Sequence, residues 1–285
     1  MQPLPSGPLG KTQAIERADL APIIAADASG LPADLWQGLD LKALEQLMTP
    51  LSLPPKSAAL HSLWRRMLVS AAPPPAGGEG ANHGLALKLE ALYRSGLMTE
   101  MAEVETAAQG ASTDSIIAAL SLRRRIAMGD TSEGCAAVKH LSQARATLPG
   151  RLKSELNLYA GYCAGAAQNP GAAGLAAELA REDGLDAPFA LEILDGIATQ
   201  SKPKLSIPAR VTALEYRMIN LLGPSDPSQI FDKAEPALLT AVALDANAPS
   251  AARVAAAEAA ARGFAIPPAK LAEIYLEAGV PPGVF

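Results

Sequence analysis

Beyond residue 40 the apolar side chains recur at three- and four-residue steps, in blocks closed by glycine or opened by proline or a small polar residue. That is the period of an α-helix with one buried stripe, and the strict alternation of a half-buried strand is scarce. The blocks predict helices over 40–49 and 56–71, then over 82–95, 98–109, 113–128, 132–147, 151–168, 171–183, 187–200, 208–222, 234–245, 249–263 and 268–278. Their ends have local causes. Gly96, Gly110, Gly129, Gly184, Gly223, Gly263 and Gly279 suit the left-handed position that follows a helix. Ser112 or Thr113, Asp130 or Thr131, Asn169 and Asp186 suit the position that caps a helix start. Pro170, Pro208 and Pro267-Pro268 stand at or near first turns, where a missing N–H costs nothing.

The breakers also divide the chain. Residues 1–30 are punctuated by proline and glycine and read as an extended lead or linker. Residues 31–72 form an N-terminal helical pair, opened by a short turn around Trp36 and carrying Leu60, Leu63, Trp64, Met67 and Leu68 at helical spacing. A Pro/Gly-rich loop covers 73–81, and 82–285 holds the regular pattern. Units starting near 113, 151 and 187 recur at roughly 35 residues, the spacing of tetratricopeptide-like hairpins. The full tetratricopeptide signature is absent, so the fold class expected is all-α, an irregular α-solenoid of antiparallel helical hairpins. The chain ends at Val284-Phe285 directly after an apolar helix, so either further repeats or a partner is expected to cover that edge.

Composition sharpens this reading. Of 285 residues only 4% are aromatic, and Ala and Leu supply much of the apolar content, so the core is one of closely approaching helices. A net charge of −5 argues against a surface that tracks nucleic-acid phosphates. Arg123-Arg124-Arg125, the densest basic run, reads as cations facing a helix C-terminus and solvent. No apolar run is long enough to span a bilayer, so no transmembrane segment is expected.

Two cysteines carry the strongest structural signal. Cys135 and Cys163 lie at equal distances from the helix-breaking corner Leu148-Pro149-Gly150, so a helical hairpin folded there places both sulfurs at one height. A disulfide is expected, and with it an oxidising compartment and a removed signal peptide. Small residues on both sides, Gly134, Ala136, Ala137, Gly161, Ala164 and Gly165, are expected to let the two helices approach. The alternatives are a pair of buried free thiols and a cytoplasmic protein native from Met1.

Catalytic signatures are missing. His61, His83 and His140 are scattered, with no His-Glu-x-x-His spacing and no Gly-x-Ser-x-Gly elbow. Gly77-Gly78-Glu79-Gly80 has no preceding strand and no following Lys-Ser/Thr, so it reads as a connection rather than a phosphate cradle. No catalytic residue, cofactor or metal is assigned. Trp36, Trp64 and Phe285 are the candidate interface residues.

The stretch Leu31-Pro32-Ala33-Asp34-Leu35-Trp36-Gln37-Gly38, together with Tyr162-Cys163 and Leu271-Ala272-Glu273-Ile274-Tyr275-Leu276, resembles uncharacterised exported Ala/Leu-rich helical proteins of alphaproteobacteria. That resemblance implies a cleaved signal, a periplasmic address and further repeats, and it brings no catalytic residues. The function expected is a non-catalytic scaffold that binds protein partners in a cell-envelope assembly serving growth, division or motility. The alternative is the non-catalytic superhelical region of a cell-wall-degrading enzyme such as a lytic transglycosylase.

Overall fold

The structure, a computed structural model, describes residues 29–279 apart from 33, 76, 78–81, 109, 111–112 and 224–226. Phe285 and residues 1–28 of the lead expected over 1–30 lie outside the described residues. The described residues are all-helical, with 14 α-helices and no strand. In order these are α1 Leu41–Met48, α2 Ala58–Val69, α3 His83–Arg94, α4 Met98–Ala107, α5 Ser115–Ala127, α6 Thr131–Gln143, α7 Gly150–Ala166 and α8 Pro170–Glu182. There follow α9 Pro188–Ala198, α10 Ala213–Leu222, α11 Pro227–Phe231, α12 Pro236–Leu244, α13 Ser250–Arg262 and α14 Pro268–Glu277.

Side-chain caps account for several starts. Asp130 accepts from the Glu133 N–H at 3.3 Å and Asn169 from that of Ala172 at 3.1 Å, as expected. Others move. The cap of α5 is Asp114, which accepts from the N–H groups of Ile116 and Ile117 at 2.9 and 3.3 Å. The α9 helix starts behind Ala187 rather than Asp186, and Pro208 opens no helix. Instead α10 waits for Thr212, whose hydroxyl and the Glu215 carboxylate form a reciprocal capping box. At the end of α13 it is Phe264, at φ +60°, that takes the left-handed conformation expected of Gly263.

Polar side chains link successive hairpins at a recurring separation. Trp64 Nε1 donates to Ser95 Oγ 31 residues on, and Arg65 pairs with Glu100 35 residues on. Asn82 reaches Asp114 over 32 residues, Glu90 meets Arg123 over 33, and Arg123 meets Glu155 over 32. Thr131 and Tyr162 close the series at 31. Each helix from α2 to α7 is thus tied to a partner 31 to 35 residues away in the chain.

Contacts are not confined to helices that are neighbours in the chain. In an open solenoid each repeat touches only its neighbours, whereas here α10 packs on α5 and α7, and α12 packs on α3, α4 and α5. Tyr93 of α3 donates to Glu235, before α12, across 142 residues. Arg217 of α10 donates twice to the Ala127 carbonyl at the end of α5, across 90 residues. At the N-terminal pair, His61 of α2 lies with its ring centroid 5.6 Å from that of Phe264. One hydrophobic core runs through all of this, from Met48, Trp64 and Leu68 to Ile266 and Ile274.

Cys135 of α6 and Cys163 of α7 are joined as a disulfide, with Cα atoms 5.6 Å apart. The glycines near them do other work. A Cβ on Gly161 would meet Leu194 of α9 at 2.8 Å, one on Gly165 would meet Ile197 and Leu221 at 3.0 Å, and Gly134 faces Ile126 of α5. They admit large side chains from neighbouring helices and do not set the α6–α7 spacing.

Candidate binding cleft

The turn-back of α10 and α12 toward α3 and α5 leaves a cleft of about 810 Å³ between the inward faces of α3, α5, α7, α9 and α10. Each helix contributes a small set of residues. Glu90 and Tyr93 come from α3, Arg123 from α5, and Arg151, Glu155, Leu158 and Tyr159 from successive turns of α7. Phe189 comes from the start of α9, Leu214 and Glu215 from the first turn of α10, and Glu235 from the cap of α12.

The polar wall is ordered by ion pairs. Arg123, with its side chain only 13% exposed, bridges Glu90 at 2.8 Å and Glu155. Glu155 also accepts from Arg151 at 2.9 Å. Glu235 is buried and takes three donors, the Tyr93 hydroxyl, the Ala213 N–H and Arg210, at 3.0, 3.0 and 3.1 Å. Such a carboxylate is fully satisfied, and that is what makes its burial tolerable. Burial, followed by the charge of Glu235, pushes the Tyr93 phenol well up, and burial likewise raises that of Tyr159, so both stay neutral hydroxyls.

Two carboxylates are not matched by a cation. The cleft is lined by Arg94, Arg123, Arg151 and Arg210 and by Glu90, Glu155, Asp183, Asp186, Glu215 and Glu235. Arg94 donates to the carbonyls of Met48 and Leu51, and Asp183 pairs with Arg145 outside the cleft. Glu215 and Asp186 form no ion pair among the described residues. Burial raises the Glu215 pKa, against the hydrogen bonds from Thr212 that favour its charged form.

The residues singled out from sequence are dispersed. Trp64 is 7% exposed with its indole N–H bonded to Ser95 at 2.9 Å, so it is core and not the surface contact expected. Trp36 is half-buried and lines a separate apolar cleft of about 230 Å³ with Leu44, Met67 and Pro73–Pro75. His61 is buried, and burial lowers its pKa. His83 stands 3.6 Å from Glu45, and His140 lines a surface hollow between α5 and α6. Among the described residues no group of three or more His, Cys, Asp or Glu side chains is placed to hold a metal ion, and no helix is long and apolar enough to cross a membrane.

Arg123 is the residue that sequence reading missed. It was expected to face solvent with Arg124 and Arg125, yet it forms the cleft wall, while Arg124 pairs with Glu105 at 2.7 Å and Arg125 with Glu133 at 2.6 Å. The available signal was the placement of Glu90 and Glu155 about one hairpin period on either side. Compared with known proteins, the chain matches no family model, no curated protein and no solved structure.

Proposed function

We propose that the protein is a non-catalytic binding scaffold, a curled variant of the tetratricopeptide-like solenoid, that holds a segment of another polypeptide in the cleft between α3, α5, α7, α9 and α10. The observation that carries this reading is the roughly 810 Å³ cleft, lined from five helices and the α12 cap by aromatic, aliphatic and ion-paired side chains. Its arginines are held by carboxylates or backbone carbonyls, which suits a preorganised recognition surface. The Cys135–Cys163 disulfide supports an oxidising compartment, and with it a periplasmic scaffold in an envelope assembly.

A photo-crosslinking amino acid placed at Arg151 or Pro188, both in the cleft lining, tests this in intact cells making the full-length protein. Discrete polypeptide adducts are expected from these sites and none from exposed Lys139 on the α6 face. Equal labelling at all three, or none in the cleft, would reject the reading.

A further inference from the structure

We infer that the cleft between α7 and α10 is a socket for a lysine or arginine side chain of the bound segment, with Glu215 as its counter-ion and the Tyr159 hydroxyl as a second polar contact. This rests on the reading of the cleft as a polypeptide-binding site.

Three features point to it, two at Glu215 and one at Tyr159. First, the charges inside the cleft do not balance. Arg123, Arg151 and Arg210 are each engaged by Glu90, Glu155 or Glu235, which leaves the carboxylates of Glu215 and Asp186 without an ion pair among the described residues, and the one cation whose charge acts on Glu215, Arg210, is already taken by Glu235. Second, Glu215 is half-engaged. Its Oε2 accepts from the Thr212 N–H and hydroxyl at 2.7 and 2.9 Å, which completes the helix cap, while its Oε1 has no hydrogen-bond partner among the described residues. Third, Tyr159 is 8% exposed, lines the cleft, and its hydroxyl has no hydrogen-bond partner among the described residues. That hydroxyl is not one of the fully buried polar atoms left unsatisfied, so it opens on the cleft, where an incoming polar group can reach it.

The surroundings favour a cation on an apolar stem. Leu158, Phe189 and Leu214 share the lining and suit a hydrocarbon chain, as long basic side chains lay their methylenes on apolar surface and extend the charge beyond it. In a half-buried site a charge pair is screened less than at the surface, so the pair contributes more than an exposed bridge. Burial already holds the Glu215 pKa up, and an incoming cation lowers it again.

The probes are three capped hexapeptides differing at two positions, Leu-Lys-Ala-Leu-Lys-Ala and its versions with glutamate or norleucine in place of lysine, titrated into the full-length protein. The lysine peptide is expected to bind at least tenfold more tightly than either of the others, with affinity falling as salt rises. Glu215→Gln, which keeps the capping box, is expected to weaken it about tenfold, and Tyr159→Phe several-fold. Both variants are checked for an unchanged circular-dichroism spectrum. Equal binding of all three peptides, or a lysine preference untouched by Glu215→Gln and Tyr159→Phe, overturns the inference. The two ideas separate cleanly: cleft adducts in cells with no lysine preference leave the polypeptide-binding reading standing alone.

Discussion

Glu215 serves two demands that oppose each other. As the third residue of α10 it completes the Thr212 capping box, which favours the helix, but burial of its carboxylate, with Glu235 nearby, opposes ionisation more than Arg210 favours it. With its folded pKa raised above the unfolded value, the native state holds the proton more tightly than the unfolded chain does. Stability contributed by this group is therefore present at acid pH and lost as pH rises through the raised pKa. Glu215→Gln keeps the cap and removes the charge, so it is expected to be more stable than the native protein at pH 7, with the gap closing below pH ~4. Urea midpoints at both pH values measure this, and a native protein equal to or more stable than the variant at pH 7 would contradict it. The three arginines illustrate what a residue-level reading misses. Adjacent positions on a helix point about 100° apart, so Arg123, Arg124 and Arg125 diverge to four carboxylates, Arg123 to α3 and α7, Arg124 to α4 and Arg125 to α6. A charge run in sequence is not one face in space.

At the scale of elements the sequence is most legible, because helix starts and stops are local chemistry. Asp130, Asn169 and Pro149 mark their boundaries through capping bonds and fixed dihedrals that need no tertiary knowledge. The α10 start was misplaced because Pro208 looks like a first-turn residue, whereas the decisive signal was the Thr212/Glu215 box four residues on. The equal spacing of Cys135 and Cys163 about Pro149 identified the staple for a physical reason, since two antiparallel helices share one rise per residue. Replacing both cysteines with alanine opens a loop closed over a separation of 28 residues, and is expected to cost about 3.5 kcal/mol by loss of loop-closure entropy in the unfolded chain. Guanidinium unfolding of the double variant beside the oxidised protein reads this directly. A loss under about 1 kcal/mol would mean that the short turn at Pro149 already supplies the constraint.

The whole molecule is where sequence reading ran out. Links of 31 to 35 residues are of the length that neighbouring helical hairpins allow, but contacts across 90 and 142 residues have no local signature. The turn that brings α12 back to α3 depends on shape at one narrow point. Gly96, at φ +73°, follows α3, and a Cβ there would lie 2.8 Å from the Pro236 carbonyl oxygen. Backbone cannot swing aside as a side-chain tip can, so Gly96→Ala carries both the left-handed penalty and a clash that pushes α12 away. Gly184 offers the comparison, since it has a similar φ of +72° with nothing within 4 Å of its would-be Cβ. Gly184→Ala is expected to cost about 1 kcal/mol, the conformational term alone, and Gly96→Ala about 3 kcal/mol. Hydrogen exchange locates the difference: amides of α12 should lose protection in Gly96→Ala while those of α7 and α8 keep theirs. Similar costs for the two variants, or uniform loss of protection, would mean that closure through α12 is not a separately stabilised contact. A cleft that depends on closure should also lose its lysine-peptide affinity in Gly96→Ala, since that change displaces Glu235 from Tyr93.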